Sequence, residues 1–401
     1  MSRIEELIEQ LCREGVEYKE LGDCASILRG KRVTKSELNP DKKYPVYSGG
    51  VTPMGYFDKY NQFPNTITVV KYGTAGFVNF IKEKFWANDV CYCVKPSDTV
   101  ENKYLFYILK CKQDFIQSQA TNAIPAHLPT DAIERIPIPI PPLPIQQEIV
   151  TILDKFTQLE AELEAELEAR NRQYEYYRNQ LLNFKWKEVE WKTLGEVGEF
   201  VRGRRFVKND IMTEGVSCIH YGEMYTYYHI WAKKTKSFLN PTLAAKLRVA
   251  RPGDVIIVAA GETVEDLGQG VAWLGESDVV IHDACFAFSH KQNPKYVSHL
   301  LQTDLFRSQI KKYVSSGKIS SINASGLSKA LIPIPPLSEQ ERIVSILDKF
   351  DALVNDIMVG LPAEIDARRK QYEYYRGKLL TFKPKLQTTT AMITTTTTTT
   401  T

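Results

Sequence analysis

Two places in the chain put four cations within seven residues: Arg29, Lys31, Arg32 and Lys35, then Arg202, Arg204, Arg205 and Lys208. Clustered Arg and Lys on a loop suit phosphate contacts, and an Arg can also grip a guanine edge with two hydrogen bonds. A solvated charged turn is the plainer reading of the same residues. Further on, His220, Tyr221 and Glu223 are followed by Tyr225, Tyr227 and Tyr228 and then by Lys233, Lys234 and Lys236. Aromatic, carboxylate and ammonium groups in one stretch suit base readout, with Glu223 as an acceptor for a cytosine amino group; an aromatic core edge stays equally open. Tyr47 and Ser48, ahead of two glycines, hold the comparable place in the first half. Lys71, Tyr72 and Thr74 belong to a glycine loop after a β-rich run, and Gly261-Glu262-Thr263 occupies the matching position. Its glycines would let backbone approach a duplex closely, or it is an ordinary hairpin.

Other chemistry lacks its motifs. No phosphate-binding G-x-x-x-x-G-K-[ST] loop occurs, no G-x-G-x-x-G follows a strand, and no Asn-Pro-Pro-aromatic run of adenine methyltransferases is found. Cys91-x-Cys93 has no second pair, so it reads as a buried structural pair and no metal is expected. The six histidines show no ligand-like or triad-like spacing, and His282-Asp283 reads as a turn. The chain therefore reads as a binder, not an enzyme, with no catalytic residue and no cofactor of its own. Seven cysteines without regular spacing point to a reducing cytoplasm. The longest apolar run, 255–260, is far short of the ~18–20 residues of a membrane span, so no membrane partner is expected.

The elements that must position these residues emerge from an internal duplication. Residues 139–156, PIPPLPIQQEIVTILDKF, return as PIPPLSEQERIVSILDKF at 333–350, and QYEYYR at 173–178 returns at 371–376. Upstream, VEYKELG (16–22) returns as VEWKTLG (189–195), and RGKR (29–32) as RGRR (202–205). The plan is variable arm, shared helix, variable arm, shared helix, with an N-terminal helix over 1–15. The arms span 16–142 and 186–336, the shared helices 143–185 and 337–385, and a Thr-rich tail, read as disordered, covers 386–401. Because the halves are related cyclically, the two ends of the chain should meet.

Apolar residues three or four apart mark the first shared segment as one long helix over 145–184, with Phe156, Leu159, Leu163, Leu167, Tyr174 and Tyr177 on its seam. The second repeats the seam with Phe350, Leu353 and Ile357, followed by Tyr372 and Tyr375. Ser338 and Glu341 suit a capping box at its start, and Gly360 and Pro362 should break it. Each helix follows an alternating Ile-Pro run that should be stiff and extended. Two seam-bearing helices whose ends meet are expected to pair as an antiparallel coiled coil. The arms read as mixed α/β, with strands at 65–71 and 254–259 and helices at 103–117 and 295–313. The fold class is thus a duplicated α/β (α+β) domain separated by two long helices, in a cyclic pseudo-twofold arrangement.

Charge follows the same division. Over 16–135 there are 16 Lys and Arg against 13 Asp and Glu, and over 186–331 there are 19 against 15, while the chain as a whole carries only +3. Both arms are basic, the sign that phosphate contacts require.

The PIPPL-x-x-Q, ILDKF and QYEYYR pairs, set in this layout, resemble the DNA-specificity subunit of type I restriction–modification systems. The tandem EAEL units at 160–163 and 164–167 resemble the group with a four-residue repeat in its central helix. The resemblance covers residues 1–385, strongly in the helices and at fold level in the arms. It implies a non-catalytic chain of the prokaryotic cytoplasm that binds double-stranded DNA, each arm reading one half of a split site across an unread spacer. It also implies two methyltransferase (modification) subunits and two restriction/translocase subunits as partners, with S-adenosylmethionine, ATP and Mg²⁺ held by those partners. Docking would fall on the seam residues named above. The alternative reading is a two-headed coiled-coil adaptor whose arms bind proteins or other ligands.

Overall fold

The computed structural model describes residues 3–121, 123–184, 188–356 and 359–385, with only the backbone of Tyr225. The Thr-rich tail and Ile357 lie outside the described residues. The chain forms two compact units: Met1–Ala161 with Ala367–Thr401, and Glu162–Asp366. Each unit holds one arm and parts of both helical segments.

The arms share a topology that their sequences barely share. In the first, Ala25–Arg29, Cys91–Pro96, Thr66–Val70 and Val78–Ile81 form a four-stranded antiparallel sheet in that order. In the second, Gly198–Arg202, Cys285–His290, Val255–Val258 and Gly270–Trp273 repeat it, with Trp231–Ala232 added in parallel at the edge. A smaller sheet accompanies each. Tyr44–Tyr47 lies parallel to Trp86–Ala87 in one arm, and Val216–Ile219 lies parallel to Val279–Ile281 in the other. The central strands Thr66–Val70 and Val255–Val258 are buried at every position, which their β-branched composition suits. The stretch expected to be helical at 103–117 is two helices, Asn102–Cys111 and Gln113–Ser118; that at 295–313 is Pro294–Leu301 and Asp304–Ile310 followed by a 3₁₀ turn.

The Ile-Pro runs are extended, as expected, and are also paired. Glu17–Glu20 runs antiparallel to Pro137–Ile140, and Glu190–Thr193 to Leu331–Ile334. The carbonyls of Ile136 and Ala330 accept from Leu21 and Leu194, the residues just past the partner strand, so alternation turns Pro137, Pro139 and Pro333 away from it. A proline there removes only an outward donor that no strand would meet. The outward carbonyls are taken up by the arm: Tyr104 donates to Pro139 O at 3.0 Å and Tyr296 to Pro333 O at 2.9 Å.

The glutamine of each PIPPL-x-x-Q is fully buried and ties arm to helix. Gln146 accepts from the Glu101 N–H at 2.7 Å and donates to Thr99 O and Pro141 O. Gln340 accepts from the Asn293 N–H at 2.9 Å and donates to Gln292 Oε1 and Pro335 O. The aspartate of each ILDKF adds an ion pair, Lys103–Asp154 at 2.5 Å and Lys295–Asp348 at 2.6 Å.

The long helix runs from Leu143 to Leu181, taking in Pro144 and stopping short of Phe184. Proline is compatible with a first turn, where its missing N–H has no intrahelical partner, so the start lies two residues earlier than its prolines suggest. The second segment breaks as expected, into Leu337–Asn355 and Leu361–Leu379. The Ser338–Glu341 capping box does not form: Pro336 precedes the first turn without a side-chain cap. In the first unit Phe156 stacks on Tyr375 at 5.6 Å and Glu160 pairs with Arg369, an antiparallel register. In the second, Tyr177 and Tyr174 stack on Phe350 at 5.3 and 6.1 Å. The seam is not continuous, since Leu159 and Leu353 are each 38% exposed. Leucines four residues apart drift by ~40° per step around a helix of 3.6 residues per turn, which leaves Leu159 at the margin of the stripe while Leu163 and Leu167 are half-buried.

The chain ends meet within the first unit. The Val16 N–H donates to Lys383 O, Lys385 N–H donates to Val16 O, and Tyr18 Oη donates to Phe382 O at 2.9 Å. Gln340→Ala would leave the Asn293 N–H and the Pro335 carbonyl unpaired in the core of the second unit. We expect a loss of about 2 to 4 kcal/mol in chemical denaturation. A loss below about 0.5 kcal/mol would show that the glutamine holds nothing.

Candidate nucleic-acid interface

The repeated Arg-Gly pairs close the ends of the two large sheets by the same contacts. Arg29 donates to Asp89 O from Nε and Nη2 at 3.3 and 3.2 Å, and Arg202 donates from Nε to Asp283 O at 2.9 Å. The glycine that follows is forced by packing: a Cβ on Gly30 would lie 2.2 Å from Asn88 O, and one on Gly203 would lie 2.1 Å from His282 O. Next, Asn88 donates to Val33 O at 3.1 Å, while His282 Nε2 meets Phe206 O at 3.0 Å. One frame is thus built twice, with different side chains filling the same post. The first Arg of each cluster is engaged in bracing this frame, which charge spacing alone does not reveal.

The remaining cations of each cluster leave the frame differently. Lys31 and Arg32 are exposed, and the Lys31 backbone is held by Ala87 O and by the Trp86 indole N–H. Arg204 donates to Lys246 O at 2.7 Å, which fastens it to the neighbouring segment. Lys35 and Lys208 each open a 3₁₀ turn, one held by Glu37 accepting from the Thr34 N–H and the other by Asp210 accepting from the Val207 N–H. The Thr34 bonds hold the Glu37 carboxyl below its ordinary range.

In the second arm a cleft of about 670 Å³ brings together Arg202, Arg205, Lys208, His220 and Tyr221. The structure adds Glu262, His282, Asp283, Lys318 and Ile319 to its lining. His220 and His282 have ring centroids 4.8 Å apart, and Tyr221 lies 4.6 Å from His220 and 5.2 Å from His282. Tyr221 therefore belongs to a wall of mutually tilted aromatic rings. Glu223 is turned inward: its carboxylate accepts from Ser237 Oγ and from the His220 N–H at 3.1 Å, which holds the turn after the strand. Lys233 and Lys234 do not reach this cleft. They lie in a separate groove with Tyr227, Trp231 and Asp356, where Lys233 sits 5.7 Å over the Trp231 ring. Of the Tyr225 side chain nothing is described.

In the first arm, Thr74 donates twice to Gly49 O, from N at 2.9 Å and from Oγ1 at 3.0 Å, joining the glycine loop to the Tyr47–Ser48 strand end. A Cβ on Gly73 would lie 2.5 Å from Gly49 O, so this glycine is demanded by the chain's own packing. Tyr72 stacks on His127 at 5.5 Å, and the Lys71 ammonium lies 5.5 Å over Tyr72 and 5.2 Å over Tyr92. Tyr47 is half-buried edge-on to Phe85, and burial raises its hydroxyl pKa. Strand pairing aligns Tyr47 with Ile219 and hence Ser48 with His220, one residue away from the sequence match.

Among the described residues, no group of three or more His, Cys, Asp or Glu could hold a metal ion. Cys91 donates to Ser48 O at 2.9 Å, and burial pushes both the Cys91 and Cys93 thiols up to about 12. No helix among the described residues is long and apolar enough to cross a membrane.

The type I restriction modification DNA specificity domain family matches this chain twice, over residues 13–169 and 186–367. The chain belongs to that family. A type I restriction enzyme specificity subunit of Escherichia coli is 39% identical over 279 residues, covering 64% of this chain and 65% of that one. A Haemophilus influenzae chain carried under the same kind of name is 33% identical over 392 residues, covering 92% of this chain and 96% of that one. The fold is that of the specificity subunit from M. genitalium, with a TM-score of 0.57 at 17% identity, covering 91% of this chain and 96% of that one. A chain from a structure of type I complex assembly gives 0.59 at 15% identity, covering 91% and 97%. The chain is accordingly a DNA-recognition component of a type I system, without a catalytic role of its own.

Sequence spacing found the cation clusters and the His220–Tyr221 pair, because both are local; His282, read from sequence as a turn, joins that pair from a distant strand end. Spacing missed Lys318 and Ile319, which reach the cleft from a distant loop and leave no local signal. Burial depresses the pKa of His220, His282 and His299, and brings His290 to about 4. All four belong to the second unit. A histidine whose folded pKa lies below its unfolded value of about 6.5 adds stability above that pH, and the stability is lost as pH falls toward the folded value. We expect the second unit to unfold at progressively lower temperature between pH 6.5 and 4. His290→Asn, whose Oδ1 can still accept from the Gln292 N–H that now meets Nδ1, should flatten part of that slope in calorimetry.

Proposed function

We propose that this chain recognises a bipartite double-stranded DNA target, each arm reading one half, and that it directs partner subunits to that site. The observation that carries the reading is the duplicated frame with divergent fittings. The same Arg-Gly brace ends both large sheets, while Asn88 gives way to His282, Ser48 to His220 and Tyr72 to Ala260. A shared scaffold with different side chains at its open end suits two readers of different sequence. Arg32, Lys35, Arg205 and Lys208 supply phosphate contacts, and His220, Tyr221, Tyr47, Ser48 and Tyr72 face the bases. Arg29, Arg202, Arg204 and Glu223 position the loops that carry them.

Two modification subunits dock on the helical segments. Tyr176 and Tyr374 occupy equivalent places in the repeat and are 60% and 65% exposed, so each of two identical partners meets the same anchor. The Phe156–Tyr375 and Phe350–Tyr177 stacks hold these surfaces. Two restriction/translocase subunits complete the assembly in the cytoplasm. S-adenosylmethionine, ATP and Mg²⁺ serve those partners, so the adenine is flipped and methylated there.

The EAEL units set the spacer. The boundary between the compact units falls inside the first of them, between Ala161 and Glu162, away from either arm. One further unit lengthens a helix by ~6 Å, about one or two base pairs of duplex. Inserting an EAEL after Leu167 should widen the unread spacer with both half-sites unchanged, as read by sequencing modified bases in a host carrying the chain and its methyltransferase. The original spacer in that variant would contradict the role of the helix. Arg205→Ala should weaken duplex binding by a similar factor for all sequences and lower the log–log salt slope by about 1. Binding by the parent chain that ignores salt would favour the protein-binding adaptor instead.

A further inference from the structure

The two arms close onto their glycine loops through hairpins that share two backbone hydrogen bonds. In the first, Thr121 N–H donates to His127 O and Leu128 N–H donates to Lys71 O, each at 2.8 Å. In the second, Ser315 N–H donates to Ser321 O and Ile322 N–H donates to Ala259 O, again each at 2.8 Å. Each hairpin carries an isoleucine in the open: Ile124 is fully exposed and Ile319 is 64% exposed. An aliphatic β-branched side chain held out in water gains nothing for the fold. Its recurrence on equivalent loops of otherwise divergent arms calls for a use outside the fold. Phe63, as exposed as Ile319, lies against Tyr60 instead.

The surroundings say what meets these side chains. Ile319 and Lys318 line the cleft that also holds Arg202, Arg205 and Lys208. Four cations there outnumber the two carboxylates, Glu262 and Asp283, so a partner entering must bring negative charge and still offer an apolar slot. Protein surfaces that carry dense negative charge rarely do both, whereas duplex DNA presents phosphates outside and stacked base faces inside. In the first arm, the Tyr72 stack on His127 and the Gly73 N–H bond to Ala126 O tie the Ile124 hairpin to the loop that carries Lys71.

We propose that Ile319 and Ile124 are wedges: on binding, each enters one base-pair step in its own arm's half of the target and partly unstacks it. The proposal rests on the reading of the arms as DNA readers. A wedge adds selectivity for steps that open easily, without any hydrogen bond to a base.

The test walks a single mismatch along a duplex of the methylated target and measures equilibrium binding by the full chain. A mismatch already weakens stacking, so at the wedge step it should tighten binding by about tenfold, once in each half-site. Ile319→Ala should remove that preference in one half only and Ile124→Ala in the other, with the salt slope unchanged in both. Ile319→Leu should keep it. Variants that retain the full mismatch profile would overturn the wedge. Salt-independent duplex binding by the parent chain is a separate result: it would overturn the reading of the arms, and the wedge with it.

Discussion

Each arm is fastened to its helix by a fully buried glutamine, Gln146 or Gln340, whose amide meets every group it faces. An unpaired amide in that place would cost about as much as several good hydrogen bonds restore, so the side chain fixes one geometry and admits no other. The strand of alternating prolines works with it. Its inward carbonyls pair with the repeated VEYK or VEWK strand, and its outward ones are taken by Tyr104 or Tyr296 and by the glutamine. Everything beyond this joint, the sheet, the braced Arg-Gly corner and the open loops, takes its orientation relative to its own helix from these few bonds.

The duplication explains how the chain is organised. In the second unit the long helix ends at Leu181, Phe184 is buried in the core, and the strand Glu190–Thr193 follows along the chain. In the first unit the same relation is made without a covalent link: Leu380 and Phe382 fill the corresponding core and Pro384 pairs with Val16. The cycle is closed by hydrogen bonds at one junction and by the peptide chain at the other.

What the sequence made legible was whatever repeats or has a period. The helices and the meeting of the chain ends follow from patterns spaced three to four residues or nearly two hundred apart. The meaning of individual charges was less legible. Arg29 and Arg202 look like ligands by type and spacing, yet each spends its guanidinium on a backbone carbonyl, because a sheet corner with a glycine pressed against it leaves that carbonyl facing them. Lys233 and Lys234 adjoin the aromatic run in sequence, but the chain turns them into a different groove. Glu223 is drawn inward by Ser237. Lys318 and Ile319 are brought to the cleft by the pairing of Ala260–Gly261 with Ser320–Ser321, a long-range bridge too short to leave a signature in the sequence.

In the function proposed for this chain the two arms read separate halves of one site, each with its own open loops on a common frame. This division is tested most directly by replacing Tyr221 and His220 together with alanine and mapping every methylated adenine in a host carrying the variant and its methyltransferase. Relaxed sequence is expected at positions in one half-site, with the other half-site and the spacer as before. Relaxation in both halves, or an unchanged site, would contradict it.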